Sequence, residues 1–308
     1  MSASGWVIFR RDHRNGQAGK KGGLFALGAD WKVAPPQTWP QDIRVHTLTE
    51  LEHLLGFLDD PDPGAADALE LALLDYEGDI SEVLTENGRK LSPPENAKLS
   101  QLLRLGREIR AREDWFVPGP GLDEDHGDLE TFEALLRVVS DFLHDGVTLR
   151  PTLSDLLDGV AAKLEDEDLN SESLANRLFQ FGWFRVSPEG PDDPADFDLA
   201  NVLKTNRGAG PSLLFIYQLV AARLNVVIGP GEDPFNLIWR HFRASRPGSI
   251  KASAKSLAKS GLDGQLTPRL FLSLYLARLE RALKNSRRPR EASVIAEMAS
   301  SLKAVPTP

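Results

Sequence analysis

The stretch RGAGPSLLFIYQLVAARLNV, residues 207–226, decides the fold of the central part of this 308-residue chain. A short turn with two glycines leads into a run that is apolar nearly all round, with Gln218 and Arg223 as its clear polar exceptions. A helix without a polar face is buried in the middle of its domain. The turn delivers Ser212 to the start of that helix, where several enzyme classes hold a nucleophile. The question is therefore whether Ser212 does chemistry or only serves the fold.

The segments on both sides of this stretch are mostly helical in pattern. From residue 129 onward apolar residues recur at helical spacing, and the chain ends in a predicted hairpin of helices, Pro268–Asn285 and Pro289–Leu302. Three short β-like runs occupy the first forty-odd residues. The pattern predicts an α+β protein that is mainly helical.

The length of the chain favours two hydrophobic cores, because single cores stop growing beyond roughly 250 to 300 residues. Residues 113–128 combine proline, glycine and acidic residues with little periodicity, which is typical of a linker. We therefore predict a small α/β domain over residues 1–112 and a helical domain over residues 129–308. Within the first domain, Ser92 before Pro93 predicts a helix start. The buried stripe predicted for that helix is Leu99, Leu102, Leu103 and Ile109.

The composition excludes several kinds of chemistry. The chain has no cysteine, which removes disulfides, thiolate metal sites and thiol nucleophiles. None of the six histidines has a second histidine at helical spacing, and no complete phosphate-loop pattern occurs. We expect no metal and no cofactor. No apolar run approaches the ~20 residues that a membrane span needs, so we expect a soluble cytoplasmic protein of bacterial type with no membrane partner.

The charge of the chain is unevenly distributed. From Arg240 to the end there are 14 Lys/Arg against four Asp/Glu, whereas the whole chain carries a net charge of −9. Lys251, Lys255 and Lys259 recur every four residues and would align on one helix face. This basic segment either neutralises the acidic remainder of the chain or binds an anionic partner, an acidic protein or a nucleic acid. Few aromatic residues interleave with it, so base stacking is unsupported.

Residues of roughly 130–303 resemble the bacterial SirB-type transglutaminase-like family, in which a transglutaminase-like core precedes a tetratricopeptide-like tail. The resemblance is spread over three segments. The first is carried by Leu174, Asn176 (displaced by one position), Leu178, Phe179 and the run FGWF. The second is carried by Leu199, Val202, Leu203, Arg207, Gly208, Ser212, Leu213, Tyr217, Arg223 and Leu224, with Pro234 and Arg240 at its end. The third is the tail LTPRLFLSLYLARLERAL.

The resemblance implies a fold but argues against the reaction of the family. A transglutaminase-type site uses a cysteine at the start of a buried helix, a histidine as base and an acid that orients it. This chain has no cysteine, Asn236 at the position of the histidine and Gly210 at the position of a family proline. Asparagine is not a general base at neutral pH. The resemblance therefore implies a scaffold without catalysis, in which Ser212 and Asn236 are vestiges of the site.

Two local alternatives stay open at the turn. Ser212 either caps the helix with its hydroxyl or acts as a nucleophile with another base, His241 being the nearest in sequence. Gly208 and Gly210, with Arg207, either approach a bound anion or form a tight turn that needs positive backbone angles.

We expect a non-catalytic protein-interaction or regulatory module. Its candidate binding residues are Arg207, Gly208, Gly210, Arg240, Lys251, Lys255 and Lys259. The rival functions are a serine-dependent hydrolase or acyltransferase and a nucleic-acid-associated factor. Tyr217 is expected to be a core aromatic residue whose hydroxyl is hydrogen-bonded.

Overall fold

The computed structural model describes residues 53–58, 62–86, 88–119, 122, 129–165, 169–180, 182–187, 192–228 and 268–303. All of them belong to one compact unit, Ile43–Pro308. The structure is mostly helical, with 72% helix and 2% strand, which confirms the mainly helical class. The β-like runs of the predicted N-terminal α/β domain lie outside the described residues. The predicted domain boundaries and the linker stay predictions.

The described elements follow one another as helices with short connections. The α-helices are α1 Pro63–Ala72, α2 Ser81–Glu86, α3 Pro93–Leu102, α4 Arg104–Asp114, α5 Leu129–Leu143, α6 Leu153–Ala162, α7 Ser171–Ala175, α8 Leu199–Thr205, α9 Gly210–Arg223, α10 Pro268–Asn285 and α11 Pro289–Lys303. Two 3₁₀ turns, Leu73–Tyr76 and Pro194–Phe197, and a π turn, Asn176–Gln180, join some of them. The strands β1 Arg185–Val186 and β2 Arg207–Gly208 pair in parallel.

The helix start predicted at Ser92 is confirmed, but its predicted buried stripe is partly wrong. Ser92 and Glu95 form a reciprocal capping box, with Pro93 at the first helical position. The helix then ends at Leu102, and α4 begins separately at Arg104. Because the new helix buries a different face, Ile109 is 41% exposed instead of buried.

The buried apolar residues form two clusters. The smaller cluster holds the first helices together and consists of Leu55, Leu58, Leu69, Leu73, Ile80, Leu84, Leu99, Leu103 and Val147. The larger cluster extends from Ala111 to Leu302 and is centred on α9, whose residues Leu213 to Tyr217 are all buried. The low amphipathicity of the α9 sequence thus correctly predicts a central, buried helix.

Three glycines allow three backbone segments to come into close contact. Gly78 and Gly146 have positive φ angles of 86° and 71°, and Gly106 lies against Gly78 from α4. A Cβ atom on Gly146 would lie 2.1 Å from the carbonyl oxygen of Gly78, and a Cβ atom on Gly106 would lie 2.7 Å from the backbone nitrogen of Gly78. The amide of Ile80 donates to the carbonyl of Gly146 at 2.8 Å. The glycines are therefore required by the distance between backbones as well as by conformation.

The side chain of Arg107 lies at this glycine junction and is buried. Its Nη1 donates to the carbonyl of Asp145 at 2.8 Å, and its Nη2 donates to the carbonyl of Ser100 at 2.9 Å. Burial lowers the pKa of Arg107 to about 10, so the guanidinium is charged at neutral pH. The cation thereby joins α3, α4 and the loop after α5 through main-chain acceptors.

The C-terminal hairpin has the boundaries that the sequence predicts, to within one residue. Helices α10 and α11 pack against each other and α11 also contacts α4. Two polar contacts fix this second packing: Arg112 Nε donates to Glu297 at 2.8 Å, and Trp115 Nε1 donates to Ser301 Oγ at 2.9 Å. The tail of the chain is thus part of the same core as its centre.

Candidate functional site

The site around Ser212 is built on the 3₁₀ turn Pro194–Phe197, which lies between α9 and α10. Asp193 caps this turn by accepting from the amide of Ala195 at 3.0 Å. Asp198 caps the following helix α8 by accepting from the amide of Ala200 at 3.1 Å. Two successive caps hold the backbone so that the carbonyl groups of Asp196 and Phe197 are available to the neighbouring helices.

Ser212 is fully buried and its hydroxyl is used by this turn. The side chain is 0% exposed, and Oγ donates to the carbonyl of Asp196 at 2.7 Å. The same carbonyl accepts the amide of Ala209 at 3.0 Å. The predicted capping role of Ser212 is wrong, because α9 begins at Gly210 and Ala209, which has no side-chain oxygen, is the cap residue. Ser212 instead stands in the first helical turn and bonds outward to a different segment.

Tyr275 of α10 anchors the adjacent carbonyl of the turn. Its buried hydroxyl donates to the carbonyl of Phe197 and lies close to the hydroxyl of Ser212. Burial raises the pKa of Tyr275 far above its ordinary value, and the nearby charge of Asp198 adds to this effect. The ring of Phe215 stacks edge-on at 5.0 Å from that of Tyr275. The hydroxyl groups of Ser212 and Tyr275 therefore both bond to main-chain carbonyls of the turn, beside an aromatic wall.

Aromatic packing extends this wall through the centre of the core. Phe215 also lies 4.9 Å from Phe132 and 4.8 Å from Phe271, measured between ring centroids. Tyr217, two residues further along α9, donates its hydroxyl to the carbonyl of Ser171 at 3.0 Å. The prediction of a hydrogen-bonded core aromatic at Tyr217 is confirmed.

The strand pair β1–β2 fixes the approach to α9. The amide of Ser187 donates to the carbonyl of Gly208 at 2.9 Å, and its hydroxyl donates to the carboxylate of Asp196 at 2.6 Å. Burial raises the pKa of Asp196, and the bond from Ser187 partly opposes that rise. The carboxyl group of Asp196 therefore accepts from Ser187, whereas its main-chain carbonyl accepts from Ser212.

The interpretation of Gly208 and Gly210 as residues with positive backbone angles is wrong. Neither has a positive φ, and the left-handed position in this turn belongs to Asn206, with φ 57°. Gly208 is required for another reason: a Cβ atom there would lie 2.6 Å from a methyl group of Val202. Gly210 has open space around it. Arg207 is exposed, and the adjacent Ala209 amide already donates within the fold.

The remaining predicted site residues cannot be compared with this geometry. Asn236, Arg240, Lys251, Lys255 and Lys259 lie outside the described residues, as does His241.

A second polar cluster beneath the turn was not indicated by the sequence. Ser140 of α5 donates its hydroxyl to Asp198, and Arg150 holds the same carboxylate with Nη1 at 3.1 and 2.9 Å from its two oxygens. Arg150 Nη2 also donates to the carbonyl of Ser140 at 2.8 Å. No local sequence motif predicts this cluster, because Ser140 and Asp198 are 58 residues apart. The cluster ties α5 to α8.

His144 is a half-buried imidazole near this cluster. Its Nδ1 lies 3.2 Å from Asp145, and its Nε2 has no hydrogen-bond partner among the described residues. Burial lowers the pKa of His144, and the charge of Arg150 lowers it further. Within the described ranges no imidazole contacts Ser212, so a serine–histidine pair is not assembled there.

Within the same residues no group of three or more His, Asp or Glu side chains is placed to hold a metal ion. None of the helices described is both long and apolar enough to cross a bilayer.

No family model, no curated protein and no solved structure matches this chain. The transglutaminase-like resemblance therefore stays a prediction.

Proposed function

We propose that this protein is a non-catalytic scaffold of transglutaminase-like type that acts as a protein-interaction or regulatory module. The observation that carries the proposal is the state of Ser212, which is fully buried and donates its hydroxyl proton to the carbonyl of Asp196. A serine nucleophile must reach its substrate and pass its proton to a base. A main-chain carbonyl is not such a base.

The neighbours of Ser212 support the same conclusion. Tyr275 is neutral at physiological pH because burial raises its pKa, and its hydroxyl proton is directed at Phe197. The carboxyl group of Asp196 accepts from Ser187. In the described structure the polar groups around Ser212 therefore bond to one another, which is the arrangement expected of a packing contact.

The absence of cysteine from the sequence offers a direct test of access to this position. Ser212→Cys introduces a single thiol of nearly the same size, whose rate of alkylation reports how often reagent reaches the site. Ser286→Cys, at the exposed turn after α10, is the matched control. We expect the thiol at position 212 to react at least ~100-fold more slowly than the control in native buffer, and at a similar rate in denaturant.

The catalytic alternative makes the opposite prediction in the same protein. Equal native rates at the two positions would show that position 212 is open to solvent and would contradict the proposal. So would labelling of the natural protein by a fluorophosphonate probe that Ser212→Ala abolishes. Hydrolysis of ester or glutamine-containing substrates, if also lost in Ser212→Ala, would establish the serine-dependent enzyme instead.

A further inference from the structure

The turn between α10 and α11 concentrates positive charge on one exposed end of the hairpin. Between residues 281 and 290 there is no acidic residue, and five positions carry a cation: Arg281, Lys284, Arg287, Arg288 and Arg290. Lys284 pairs with Glu280, and Arg288 pairs with Glu291. The other three, named the hairpin-turn arginines below, are exposed and form no salt bridge with any described residue, although the charge of Arg290 acts on Glu108 of α4 and lowers its pKa against the larger effect of burial.

Arg287 occupies a backbone position at which the local structure favours glycine. Helix α10 ends in a Schellman arrangement: the amide of Arg287 bonds the carbonyl of Lys284 at 3.1 Å, and the amide of Arg288 bonds that of Leu283 at 2.9 Å. Arg287 itself has a φ of 59°. Glycine is the usual residue at this left-handed position, because it has no Cβ atom. The arginine therefore carries a conformational cost that glycine would avoid.

Arg290 also opposes a local preference, in this case an electrostatic one. It is the second residue of α11, close to the positive end of the helix dipole, where Asp and Glu are favoured and cations are not. Glu291 beside it follows the rule. Two residues within four positions, Arg287 and Arg290, thus depart from the local preference, and we take this as a sign of a requirement from outside the fold.

We propose that the hairpin-turn arginines Arg281, Arg287 and Arg290 form the docking surface for an acidic segment of a partner protein. The inference rests on the proposed scaffold function and names its partner by chemistry. The same hairpin already pairs arginine with carboxylate in this way, since Arg278 holds Asp192 through two bonds of 2.7 Å. Arginine forks match carboxylates in geometry as well as in charge.

The surface fits an acidic protein segment better than a nucleic acid. No aromatic residue occurs between 277 and 291, so unpaired bases have nothing on which to stack. The chain as a whole has a net charge of −9, which disfavours the approach of a long polyanion.

The experiment measures the binding of a fluorescein-labelled peptide of alternating glutamate and serine to the full chain by anisotropy. The test variant is Arg281→Gln combined with Arg287→Gly, which removes two positive charges, and the control is Lys204→Glu, which changes the charge by the same amount at an exposed position of α8. We expect the natural protein and the control to bind with an affinity that falls as salt rises. The double variant should bind about tenfold more weakly. Its midpoint of thermal unfolding should not fall, because glycine suits the left-handed backbone at position 287 and glutamine suits the exposed helical position 281.

Several outcomes would overturn the inference. These are no binding of the acidic peptide, equal binding by the double variant, or tighter binding of RNA or of phosphatidylserine vesicles measured in parallel. A weaker affinity that accompanies a lower unfolding midpoint would assign the arginines a structural role instead. The Ser212 thiol and probe measurements are independent of these, so failure of peptide binding alone leaves the scaffold proposal standing.

Discussion

Ser212 and Arg107 are both buried polar side chains that donate to main-chain carbonyls, yet their signals in the sequence are opposite. Ser212 follows a glycine-bearing turn at the start of an apolar helix and therefore resembles a nucleophile. Arg107 lies in α4, a segment rich in charges that is typical of a solvated surface. In the structure Ser212 is 0% exposed and Arg107 is 8% exposed. The comparison shows that a sequence pattern typical of a catalytic site and one typical of a solvated surface can both belong to buried side chains that hold segments of the fold together.

The surroundings of Ser212 and Arg107 differ in how many contacts and backbone conformations they fix. Ser212 makes one neutral hydrogen bond to a carbonyl that Ala209 also serves. Arg107 is a cation that bonds two carbonyls and lies at the glycine junction, where Gly78 and Gly146 have backbone angles that other residues rarely adopt. We therefore expect the glycine junction to tolerate substitution less well than the serine site.

The largest expected effect is that of Gly146→Ala. The new methyl group would lie 2.1 Å from the Gly78 carbonyl oxygen, and φ at this residue is 71°. We expect the free energy of unfolding to fall by at least ~3 kcal/mol in urea denaturation, because both the backbone and the contact must change.

The matched control for this change is Gly159→Ala, in the interior of α6, where no atom lies within 4 Å of the added methyl group. There we expect a gain of about 0.5–1 kcal/mol, because alanine is the better helix former. Comparable losses at both glycines would contradict the close contact at Gly146.

The next largest effects are those of substitutions at Arg107 and Ser212 themselves. Arg107→Met leaves the carbonyls of Asp145 and Ser100 without their donor, although it also removes the cost of burying a cation, and we expect a net loss of ~2 kcal/mol. Ser212→Ala should lose only ~1 kcal/mol, since the carbonyl of Asp196 keeps its bond from Ala209. Chemical denaturation of the two variants measures the difference. A greater loss at position 212 than at 107 would reverse the comparison.

The smallest expected effect is a pH dependence from His144, beside the glycine junction. Burial and Arg150 lower its folded pKa, although Asp145, Asp79 and Asp198 act in the other direction. The unfolded state therefore binds a proton first as the pH falls through about 6.5, and the folded protein loses stability below that value.

His144→Asn should flatten this dependence between about pH 7 and pH 5.5, because asparagine does not titrate there. Unfolding midpoints measured across that range for both proteins provide the test. Parallel curves would exclude His144 as the source.

The sequence predicts those parts of the fold that depend on neighbouring residues. The hairpin α10–α11 begins at Pro268 and Pro289, and the Ser92 cap is read from residues three positions apart. The burial of α9 follows from its composition alone. These features need no knowledge of what lies across the core.

Features that depend on contacts between distant segments could not be predicted from the sequence. Gly106 and Gly146 differ in no visible way from loop or helix glycines elsewhere, and only their approach to Gly78 explains them. Arg107 reaches an acceptor 38 residues away, and Ser212 reaches one 16 residues away. The position of Ser212 could be predicted, but the partner of its hydroxyl could not, and the partner is what separates a nucleophile from a packing contact.

The contacts of α11 with α4 also set an order in which the protein can form during synthesis. Arg112 meets Glu297, and Trp115 meets Ser301, across separations of 185 and 186 residues. Until α11 has been synthesised, α4 lacks this packing partner. Synthesis of α11 must therefore precede the native packing of α4, since contacts between distant residues form late. A truncation that removes α11 would leave a nascent protein exposed to chaperones and proteases.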